Sequence, residues 1–486
     1  MQASQSPVAN LSPALLIGDA WIGTPDRDAI AVTNPATEEE ICRVPVATDS
    51  DISAALSSAN EAFGTWRGSL PIERSRILRQ AAQILRERLP EIALGLTMEQ
   101  GKILAEARAE VTSVADLFDW FAEEARRIYS RGVANQMPGL DLKVVSEPVG
   151  PIAAFATWNF PALVPARKIA AAIAAGCTIV IKPAEETPNT AVALGRALRD
   201  AGLPPGVLNI LFGNPDQISS ALLGSPIIRK LSVTGSTGIG KILARHAAES
   251  VMPGIYELGG HAPAIVFEDA DVDKAARVLA ASKFRNAGQA CLSPSRFLVH
   301  EGIHDAFVDR MVRLARALKV GDGQDEGNTM GALTNSRRLT DVQAMVDDAV
   351  AKGAQLQCGG NRIGNKGYFF APTVLTDVPD DALAMAVEPF GPVVPVQRFK
   401  LFDDAIAKAN ALPFGLASYV FTNSNATMSR AASQIEAGLV GVNSCAVSHH
   451  ESPLGGVKQS GHGREGGIEG LEAYLVKKLI ATDTTV

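Results

Sequence analysis

Positions 152 to 185 read IAAFATWNFPALVPARKIAAAIAAGCTIVIKPAE. The runs at 152–157 and 178–182 have the length and composition of strands, and the segment at about 161–175 has a helical pattern. Parallel strands need a crossover connection of this kind. The stretch therefore predicts a βαβ unit.

The alternation of strand and helix continues beyond this unit. Further strands are predicted at 207–212 and 230–234, which extends the parallel sheet,. A second α/β unit begins beyond Pro253, with strands at 264–267 and 296–300. The chain of 486 residues is too long for one ordinary hydrophobic core, so two or three domains are expected,.

The composition is that of a globular protein, with 47% hydrophobic and 20% charged residues,. The formal net charge of -7 includes no basic stripe, which argues against nucleic acid or a membrane surface as a partner,. The five cysteines form no C-x-x-C pair or Cys/His cluster, so no disulfide framework or metal site is expected,. Met1–Asn10 has no basic residue, and no apolar run approaches the ~18 residues of a membrane helix,. These features predict a cytoplasmic enzyme for a small molecule.

Polar peptides follow the predicted strands at the edge where open α/β sheets bind ligands. Lys182 can reach a ribose hydroxyl or a phosphate, and Glu185 can accept hydrogen bonds from ribose hydroxyls,. A carboxylate at Glu185 would repel a 2′-phosphate, which favours NAD over NADP. The turn Gly235–Gly240 could hold phosphate,. It matches neither G-x-G-x-x-G nor the P-loop, so a plain strand-to-helix turn is the alternative.

The polar turn Phe284–Pro294 presents Cys291, which we interpret as a nucleophile. A thiol reacts as the thiolate, so such a site needs partial exposure and surroundings that lower the thiol pKa. Backbone N–H groups of the turn can supply such surroundings. A small buried hydrophobic residue is the alternative for most single cysteines.

Helical periodicity dominates residues 91–128,. Four charged residues recur there at helical spacing and are predicted to lie on a solvated face: Glu99, Lys102, Glu106 and Glu110,.

Seven motifs occur in order over nearly the whole chain. They are Thr157–Pro161 (TWNFP), Lys182–Glu185 (KPAE), Gly235–Thr237 (GST), Glu257–Gly260 (ELGG), Gly288–Cys291 (GQAC), Glu388–Pro392 (EPFGP) and Gly455–Gly461 (GGVKQSG). Together they resemble the NAD(P)-dependent aldehyde dehydrogenase superfamily. Arg167 and Arg285 make the resemblance closest to the succinate-semialdehyde and α-ketoglutarate-semialdehyde dehydrogenases.

The resemblance implies an α/β fold with two Rossmann-like parallel-sheet domains, one for the cofactor and one for catalysis, and a small β element for oligomerisation. The expected divisions are a cofactor domain at 1–128 and 148–256, a catalytic domain at 257–448, oligomerisation strands at 129–147 and 470–486, and a return to the cofactor domain at 449–469. The segment at 140–145 alternates as an exposed strand does, and the carboxyl end is also strand-like,. Edge pairing between subunits is therefore expected, in a homodimer or homotetramer.

The resemblance also implies catalytic roles. Cys291 attacks the aldehyde carbonyl, and the Asn159 side chain and the Cys291 N–H hold the oxyanion. After hydride leaves for the nicotinamide, Glu257 activates the water that hydrolyses the thioester. The residues expected to bind the cofactor are Thr157, Trp158, Lys182, Glu185, Gly213, Gly235, Ser236, Leu258, Glu388 and Phe390. No metal is implied.

Arg167, Arg285 and Ser448 are expected to bind the substrate. The two guanidinium groups suit a clamp on a distal carboxylate, and Ser448 matches a hydroxyl that contacts the same group in the succinate-semialdehyde enzymes. The predicted reaction is the NAD-dependent oxidation of succinic or α-ketoglutaric semialdehyde to the dicarboxylic acid. Neutral aliphatic or aromatic aldehydes are the alternative substrates. A non-catalytic paralogue would lack one of the three catalytic residues, and all three are present.

Several positions depart from the pattern of the resemblance. Ser293 replaces a second loop cysteine that some succinate-semialdehyde enzymes use as a redox switch, and Leu454 replaces a usual phenylalanine near the pocket. His261, His449 and His450 have no role that the sequence assigns.

Overall fold

The computed structural model describes residues 11–485. The expectation drawn from Met1–Asn10 lies outside this range, as does Val486 at the end of the expected carboxyl-terminal strand. None of the helices in the described range is long and apolar enough to cross a membrane.

The first part of the chain ends at Leu258. Its strands are β1 (Leu15–Ile17), β2 (Ala20–Ile22), β3 (Ala29–Thr33), β4 (Glu40–Pro45), β5 (Arg131–Val133), β6 (Leu140–Pro148), β7 (Ile152–Phe155), β8 (Ile179–Lys182), β9 (Leu208–Ile210), β10 (Lys230–Gly235) and β11 (Gly254–Leu258). Its helices are α1 (Asp49–Trp66), α2 (Pro71–Glu87), α3 (Leu89–Gln100), α4 (Leu104–Glu124), α5 (Leu163–Ala175), α6 (Pro188–Asp200), α7 (Pro215–Leu223) and α8 (Thr237–Ala248), with a 3-10 turn at Ala125–Arg127.

The second part contains the remaining elements. Its strands are β12 (Ala262–Val266), β13 (Pro294–His300), β14 (Gln355–Cys358), β15 (Thr373–Thr376), β16 (Val393–Phe399), β17 (Phe414–Gly415), β18 (Ala417–Phe421), β19 (Leu439–Val442), β20 (Val457–Lys458), β21 (Gly461–His462) and β22 (Leu475–Asp483). Its helices are α9 (Val272–Phe284), α10 (His304–Ala317), α11 (Ser336–Ala351), α12 (Leu383–Ala386), α13 (Phe402–Asn410), α14 (Asn425–Gln434) and α15 (Gly467–Glu472), with a 3-10 turn at Arg285–Gly288.

The first sheet has the strand order β2-β1-β9-β8-β7-β10-β11-β21. The five strands from β9 to β11 are parallel to their neighbours, and the strands that flank them pair antiparallel. Every residue of β7 and β8 is buried, as expected where helices cover both faces,. The predicted βαβ unit is confirmed, with α5 as its crossover. Gly176 ends α5 at a φ of 90°, a left-handed conformation that glycine adopts without strain,.

The second sheet has the strand order β14-β15-β16-β13-β12-β18-β19. All neighbouring pairs from β15 to β19 are parallel, and β14 joins antiparallel at the edge. Separate hydrophobic cores pack against the two sheets. The two parallel sheets confirm the expected α/β fold class. The expected domain divisions stay a prediction, and the strand that carries Glu257 belongs to the first sheet.

A three-stranded sheet, β22-β6-β5, stands apart from the two large sheets. The two segments predicted as peripheral strands pair with each other within the chain, from Leu475 opposite Pro148 to Asp483 opposite Leu140. This arrangement leaves β22 as an edge strand. Its side chains Val476, Leu479 and Ile480 are exposed.

The chain returns to the first sheet through β21, which pairs with β11. Gly461 has a φ of 130°, and a Cβ at this position would lie 1.9 Å from the carbonyl oxygen of Tyr256. Only glycine allows this approach. The contact holds the segment after β20 against the strand that carries Glu257.

The prediction of a solvated charged face on residues 99–110 was wrong. Glu99, Lys102 and Glu110 are each 1% exposed, and Glu106 is partly buried. Lys102 and Glu110 form an ion pair at 2.6 Å, while Glu99 accepts hydrogen bonds from backbone N–H groups of α6. Charges compensated in this way can be buried, and helical spacing alone does not reveal their partners.

Candidate active site

A cavity of about 840 Å³ lies between the carboxyl ends of β7, β10 and β11 in the first sheet and loops of the second part of the chain, and we call it the central cavity. The predicted site residues in its wall are Thr157, Trp158, Asn159, Arg167, Gly235, Ser236, Glu257, Leu258, Arg285, Cys291, Glu388, Phe390 and Ser448. The structure thus brings together the residues predicted for catalysis and for the substrate with most of those predicted for the cofactor. Lys182, Glu185 and Gly213 lie outside the wall.

The loop that carries Cys291 has an unusual backbone. Asn286 and Ala287 both have a φ of 51°, and Gly288 follows at 76°. A Cβ on Gly288 would lie 2.2 Å from the carbonyl oxygen of Gly391, so the loop passes directly against a second segment of the site. A left-handed alanine costs about 1–3 kcal/mol and persists only where the surroundings enforce it. Two hydrogen bonds of 3.0 Å, exchanged between the side chains and carbonyls of Asn286 and Gln289, enforce it here.

Cys291 is partly exposed, as expected, but the surroundings of its thiol do not lower the thiol pKa as expected. Burial raises the pKa of this thiol well above its ordinary value, and the nearby carboxyls of Glu257 and Glu388 raise it further,. Arg167 has a smaller, opposing influence. The turn therefore does not stabilise a thiolate by itself, and a neighbouring base must accept the thiol proton.

Glu257 is placed to be that base. It is 4% exposed, and its Oε1 has no hydrogen-bond partner within residues 11–485. Burial raises the pKa of Glu257 to about 7, and the charge of Glu465 contributes to the rise. A carboxyl group that titrates near neutral pH is suited to general acid–base chemistry.

Two buried charges near Glu257 were not identified from the sequence. Lys168 on α5 forms an ion pair with Glu465, and Lys168 also donates to the Ser232 hydroxyl at 3.3 Å. Lys168 is fully buried. Lys168 stands at the start of an alanine-rich apolar segment, and a lysine in such a segment is buried only with a partner. This position could have indicated a buried ion pair. Burial is the main cause of the raised pKa of Glu257, and the charges of this pair modify that pKa, with Glu465 raising it and Lys168 lowering it.

Asn159 follows β7 and is 4% exposed. The Thr157 hydroxyl donates to its Oδ1 at 2.7 Å, which leaves the amide N–H groups available to another acceptor,. Its backbone carbonyl accepts hydrogen bonds from Lys102 Nζ at 3.0 Å and from Asn286 Nδ2 at 2.9 Å. The side chain is thus a fixed donor in the wall that also contains Cys291.

The two arginines predicted for the substrate differ in their surroundings. Arg167 is 8% exposed, donates to the Ser448 hydroxyl at 2.6 Å, and forms no ion pair with an acidic side chain in the described range. Arg285 is exposed, and its guanidinium carbon lies 5.3 Å from the centre of the Phe160 ring. Both line the central cavity. Arg167 is therefore a buried cation that a bound anion can neutralise.

The other end of the central cavity is built from β10, α8 and the loop after α12. Ser236 caps α8 and accepts from the N–H of Ile239 at 3.4 Å. A Cβ on Gly259 would lie 2.8 Å from Glu388 Oε2, and Trp158 meets Phe390 edge-on at 5.5 Å. Burial raises the pKa of Glu388 to about 8.

A Cβ on Gly235 would meet no atom nearer than 3.9 Å, so the space beside the helix start is open, as phosphate binding requires,.

Lys182 and Glu185 lie at the carboxyl end of β8, two strands away from β10 in the sheet. They form an ion pair at 2.6 Å, and Glu185 also accepts from the N–H of Gly213 at 3.0 Å. These groups continue the same edge of the sheet beyond the central cavity. The edge therefore fits a dinucleotide that extends from the cavity across the strand ends.

Residues 21–480 match the model of the aldehyde dehydrogenase family. The chain belongs to this family. It is 44% identical to a putative 4-(hydroxymethyl)benzenesulfonate dehydrogenase of Comamonas testosteroni, with 98% of this chain and 99% of the relative covered. It is 42% identical to the succinate-semialdehyde dehydrogenase [NADP(+)] of Escherichia coli K12, with 95% of each chain covered. The crystal structure of succinate-semialdehyde dehydrogenase from Burkholderia pseudomallei is 40% identical and superposes with a TM-score of 0.95 over 99% of each chain.

The resemblance stated from the sequence motifs is thereby confirmed, together with the fold. As a member of the aldehyde dehydrogenase family, the protein is an oxidoreductase that uses NAD or NADP. In residues 11–485, no group of three or more His, Cys, Asp or Glu side chains could hold a metal ion.

The three histidines without an assigned role lie outside the cavity wall. His261 is buried, with Nδ1 2.8 Å from the Ser295 hydroxyl. His449 is exposed, and His450 lies 3.4 Å from the Ser113 hydroxyl. Leu454, which departs from the usual phenylalanine, does line the cavity.

Proposed function

We propose that this protein oxidises a short aldehyde with a distal anionic group to the corresponding acid, with succinic and α-ketoglutaric semialdehyde as the first candidates. The observation that carries the proposal is the buried Arg167, which has no acidic partner among residues 11–485 and lies in the same cavity wall as Cys291. A buried guanidinium is costly without a counter-charge. A substrate carboxylate would provide it, with the Ser448 hydroxyl as a second donor.

The proposed reaction begins at Cys291. Its sulfur forms a bond to the aldehyde carbon, the thiol proton passes to Glu257, and the carbonyl oxygen becomes an oxyanion. The Asn159 amide and the Cys291 N–H stabilise that oxyanion. NAD, when bound, accepts the hydride that the same carbon loses, and a thioester remains on Cys291.

Hydrolysis of the thioester completes the proposed reaction. Glu257, once its proton has passed to solvent, accepts a proton from water as the water oxygen bonds to the acyl carbon. The carbon–sulfur bond then breaks, the sulfur regains a proton and the acid leaves. The pKa of about 7 allows Glu257 to serve in both steps near neutral pH.

Neutral aldehydes are the second candidate substrates, because much of the wall around the thiol is apolar. Phe160, Leu163, Val164 and Leu454 all line it. The relative named for a benzenesulfonate indicates a further possibility, since its substrate combines an aromatic ring with an anion. Arg167 suits either a carboxylate or a sulfonate, so the proposed substrate is defined by its distal anion.

NAD is the proposed cofactor because the Glu185 carboxylate stands at the strand end where the adenosine ribose would lie,. A 2′-phosphate would bring negative charge to this carboxylate. The ion pair with Lys182 partly neutralises this carboxylate, and the Escherichia coli relative is named for NADP. The proposal is therefore a preference for NAD.

A homodimer or homotetramer is the proposed assembly. The edge strand β22 offers unpaired backbone groups and the exposed apolar side chains Val476, Leu479 and Ile480. Such an edge favours pairing with another chain. Light scattering of the purified protein distinguishes the monomer, dimer and tetramer.

The substrate proposal is tested by NADH formation with succinic, α-ketoglutaric and glutaric semialdehydes, benzaldehyde, 4-sulfobenzaldehyde and propanal, each with NAD and NADP. The same panel is run on Arg167→Met. We expect kcat/KM for anionic aldehydes to fall by about 100-fold in the variant, because a buried charged contact is lost. Propanal serves as the internal control and should change little. Equal losses for propanal and the semialdehydes would refute the anionic substrate.

A further inference from the structure

Lys102 connects α3 and α4 to the candidate active site from behind the cavity wall. It lies in the turn between those helices and is 1% exposed. Its Nζ donates to Glu110 Oε2 at 2.6 Å and to the carbonyl oxygen of Asn159 at 3.0 Å. It also lies 4.3 Å from the centre of the Phe160 ring. The ammonium group is therefore fixed on the peptide that carries the proposed oxyanion donor.

Glu110 extends this contact along the chain. Its Oε1 accepts from the N–H groups of Ala162 at 2.9 Å and Leu163 at 3.1 Å, at the start of α5. A carboxylate in this place satisfies helix N–H groups that have no partner within the helix. The ion pair of Lys102 and Glu110 thus holds both ends of the turn from Asn159 to Leu163.

The loop that carries Cys291 is tied to the same point. Asn286 Nδ2 donates to the Asn159 carbonyl at 2.9 Å, and the Glu106 carboxylate accepts from the Asn286 N–H at 3.1 Å. One carbonyl oxygen therefore receives Lys102 from one side and the Cys291 loop from the other. Helix α4 is the common support, since it supplies both Glu106 and Glu110.

We propose that Lys102 is a positioning residue for the oxyanion site, acting through Asn159; the inference rests on the roles of Cys291 and Asn159 proposed above. The two oxyanion donors come from separate segments, the turn after β7 and the loop after α9. Their mutual distance must stay close to hydrogen-bond length for both to reach one oxygen atom. Lys102 fixes the Asn159 peptide against α4 and against the Cys291 loop, and so sets that distance.

The test is a double-mutant cycle between Lys102→Met/Glu110→Gln and Asn159→Ala. The paired change removes both charges of the ion pair, so the Glu110 carboxylate is not left in the interior without Lys102,. The amide that replaces the Glu110 carboxylate keeps an oxygen for the α5 N–H groups. We expect kcat to fall by about 100-fold, as misplacement of about 1 Å can cost. In the Asn159→Ala background the same paired change should cost less than about threefold, because the donor that Lys102 positions is already absent.

Two further readouts separate positioning from general damage. The Kd for NAD, from quenching of tryptophan fluorescence, should change less than about threefold, and all rates are normalised to the fraction of protein that binds NAD. Cysteine-dependent hydrolysis of a p-nitrophenyl ester without cofactor should fall in parallel with kcat, because it needs the same oxyanion donors. Lys230→Met, at a largely buried lysine on β10 outside the cavity wall, is the matched control and should leave both activities unchanged.

Each opposite outcome has a defined meaning. Full additivity in the cycle, or normal ester hydrolysis in the paired variant, would overturn the positioning role while leaving the proposed function in place. Retention of full activity by Asn159→Ala alone would instead remove the oxyanion role of Asn159, and with it this part of the proposed function.

Discussion

The Thr157 hydroxyl donates to Asn159 Oδ1 at 2.7 Å, and this bond determines which end of the Asn159 amide faces the acceptor position. An amide presents either an oxygen or an NH₂ group, and only the NH₂ group stabilises an oxyanion. The resemblance placed Thr157 among the cofactor residues. Its contact with Asn159 gives it a second role, in the orientation of the proposed oxyanion donor.

Thr157→Val tests that orientation with a side chain of nearly the same shape. Loss of the hydrogen bond, worth about 0.5–1.5 kcal/mol, should lower kcat by about threefold to tenfold without a comparable change in KM for NAD. Thr112→Val, at an exposed threonine of α4 outside the cavity wall, is the control and should leave both constants unchanged. A rise in KM for NAD with normal kcat would show that Thr157 acts on the cofactor alone.

The charges around Glu257 predict the pH dependence of the reaction. Since the pKa of Glu257 is raised to about 7, kcat/KM should rise with pH through a midpoint near that value as the carboxyl ionises,. The Glu465 charge raises this pKa and the Lys168 charge lowers it. Glu465→Gln should therefore move the midpoint to lower pH, whereas Lys168→Met should move it to higher pH.

The opposite signs of these two shifts make the prediction specific. Both variants break the same buried ion pair, so a purely structural defect would lower the rate without moving the midpoints in opposite directions. Initial rates between pH 5 and pH 9, at aldehyde concentrations well below KM and with saturating NAD, give the required kcat/KM profile. Midpoints that coincide with that of the wild type would contradict the electrostatic role of the pair.

The two candidate substrate arginines should contribute unequally. Arg285 is exposed and packs over Phe160, so water screens its charge, whereas Arg167 is buried beside Ser448. Exposed charge pairs contribute about 0.2–1 kcal/mol, which corresponds to at most about fivefold in kcat/KM. Arg285→Ala should stay within that range for succinic semialdehyde, and Arg167→Met should exceed it by more than about tenfold. Equal losses from both changes would indicate a clamp made by both arginines.

From the ion pair of Lys182 and Glu185 at the carboxyl end of β8, we predict how the preference for NAD over NADP can be changed. Glu185→Ser removes the carboxylate that would repel a 2′-phosphate and frees Lys182 from its ion pair. The ratio of kcat/KM for NAD over NADP should fall by at least about tenfold, mainly through KM for NADP. Asp216→Ser, at an exposed side chain of the neighbouring α7, is the control. An unchanged ratio would show that Glu185 does not govern the preference.

Much of the fold could be predicted from the sequence because its strongest features are local. The buried strands β7 and β8 and the helix between them each show their period within a few residues,. Polar peptides at the strand ends then indicated that the ligand-binding site lies at one edge of this sheet. The structure confirms the sheet, and it places Asn159, Glu257 and Cys291 together in one cavity wall.

The parts that could not be predicted depend on contacts between distant positions. Lys102 meets the Asn159 carbonyl and Lys168 meets Glu465, and neither partner lies in the same element of the chain. The spacing of charged residues along one helix does not reveal which distant residues they contact. The raised pKa of Cys291 was missed for the same reason, since it arises from burial and from carboxyls on other segments. The polar turn around Cys291, considered alone, indicated a lowered thiol pKa.

From the burial of Lys283, we predict that its substitution will change both the stability of the protein and its binding of NAD. This lysine at the end of α9 is fully buried, and its Nζ has no hydrogen-bond partner in the described part of the chain. Burial lowers the pKa of Lys283 to about 7. The Lys283 charge lowers the pKa of Glu388, although burial still raises that pKa to about 8. Removing the cation should therefore keep Glu388 protonated to a higher pH. If Glu388 holds the nicotinamide ribose as a carboxylate, the pH below which NAD binding weakens should move upward in Lys283→Met.

Stability should change in the opposite sense from binding. Methionine removes a buried amine that lacks a partner, a group that typically costs about 1–3 kcal/mol, so Lys283→Met should unfold at a higher temperature than the wild type. Titration of NAD by tryptophan fluorescence between pH 6 and pH 9 gives the binding profile, and calorimetry gives the unfolding temperature. Lys230→Met again serves as the control, because this buried lysine lies away from Glu388 on β10. If the variant binds NAD with the wild-type pH profile, the charge of Lys283 does not affect cofactor binding. If the variant instead unfolds at a higher temperature and binds NAD more weakly at neutral pH, the charge of Lys283 supports cofactor binding at a cost in stability.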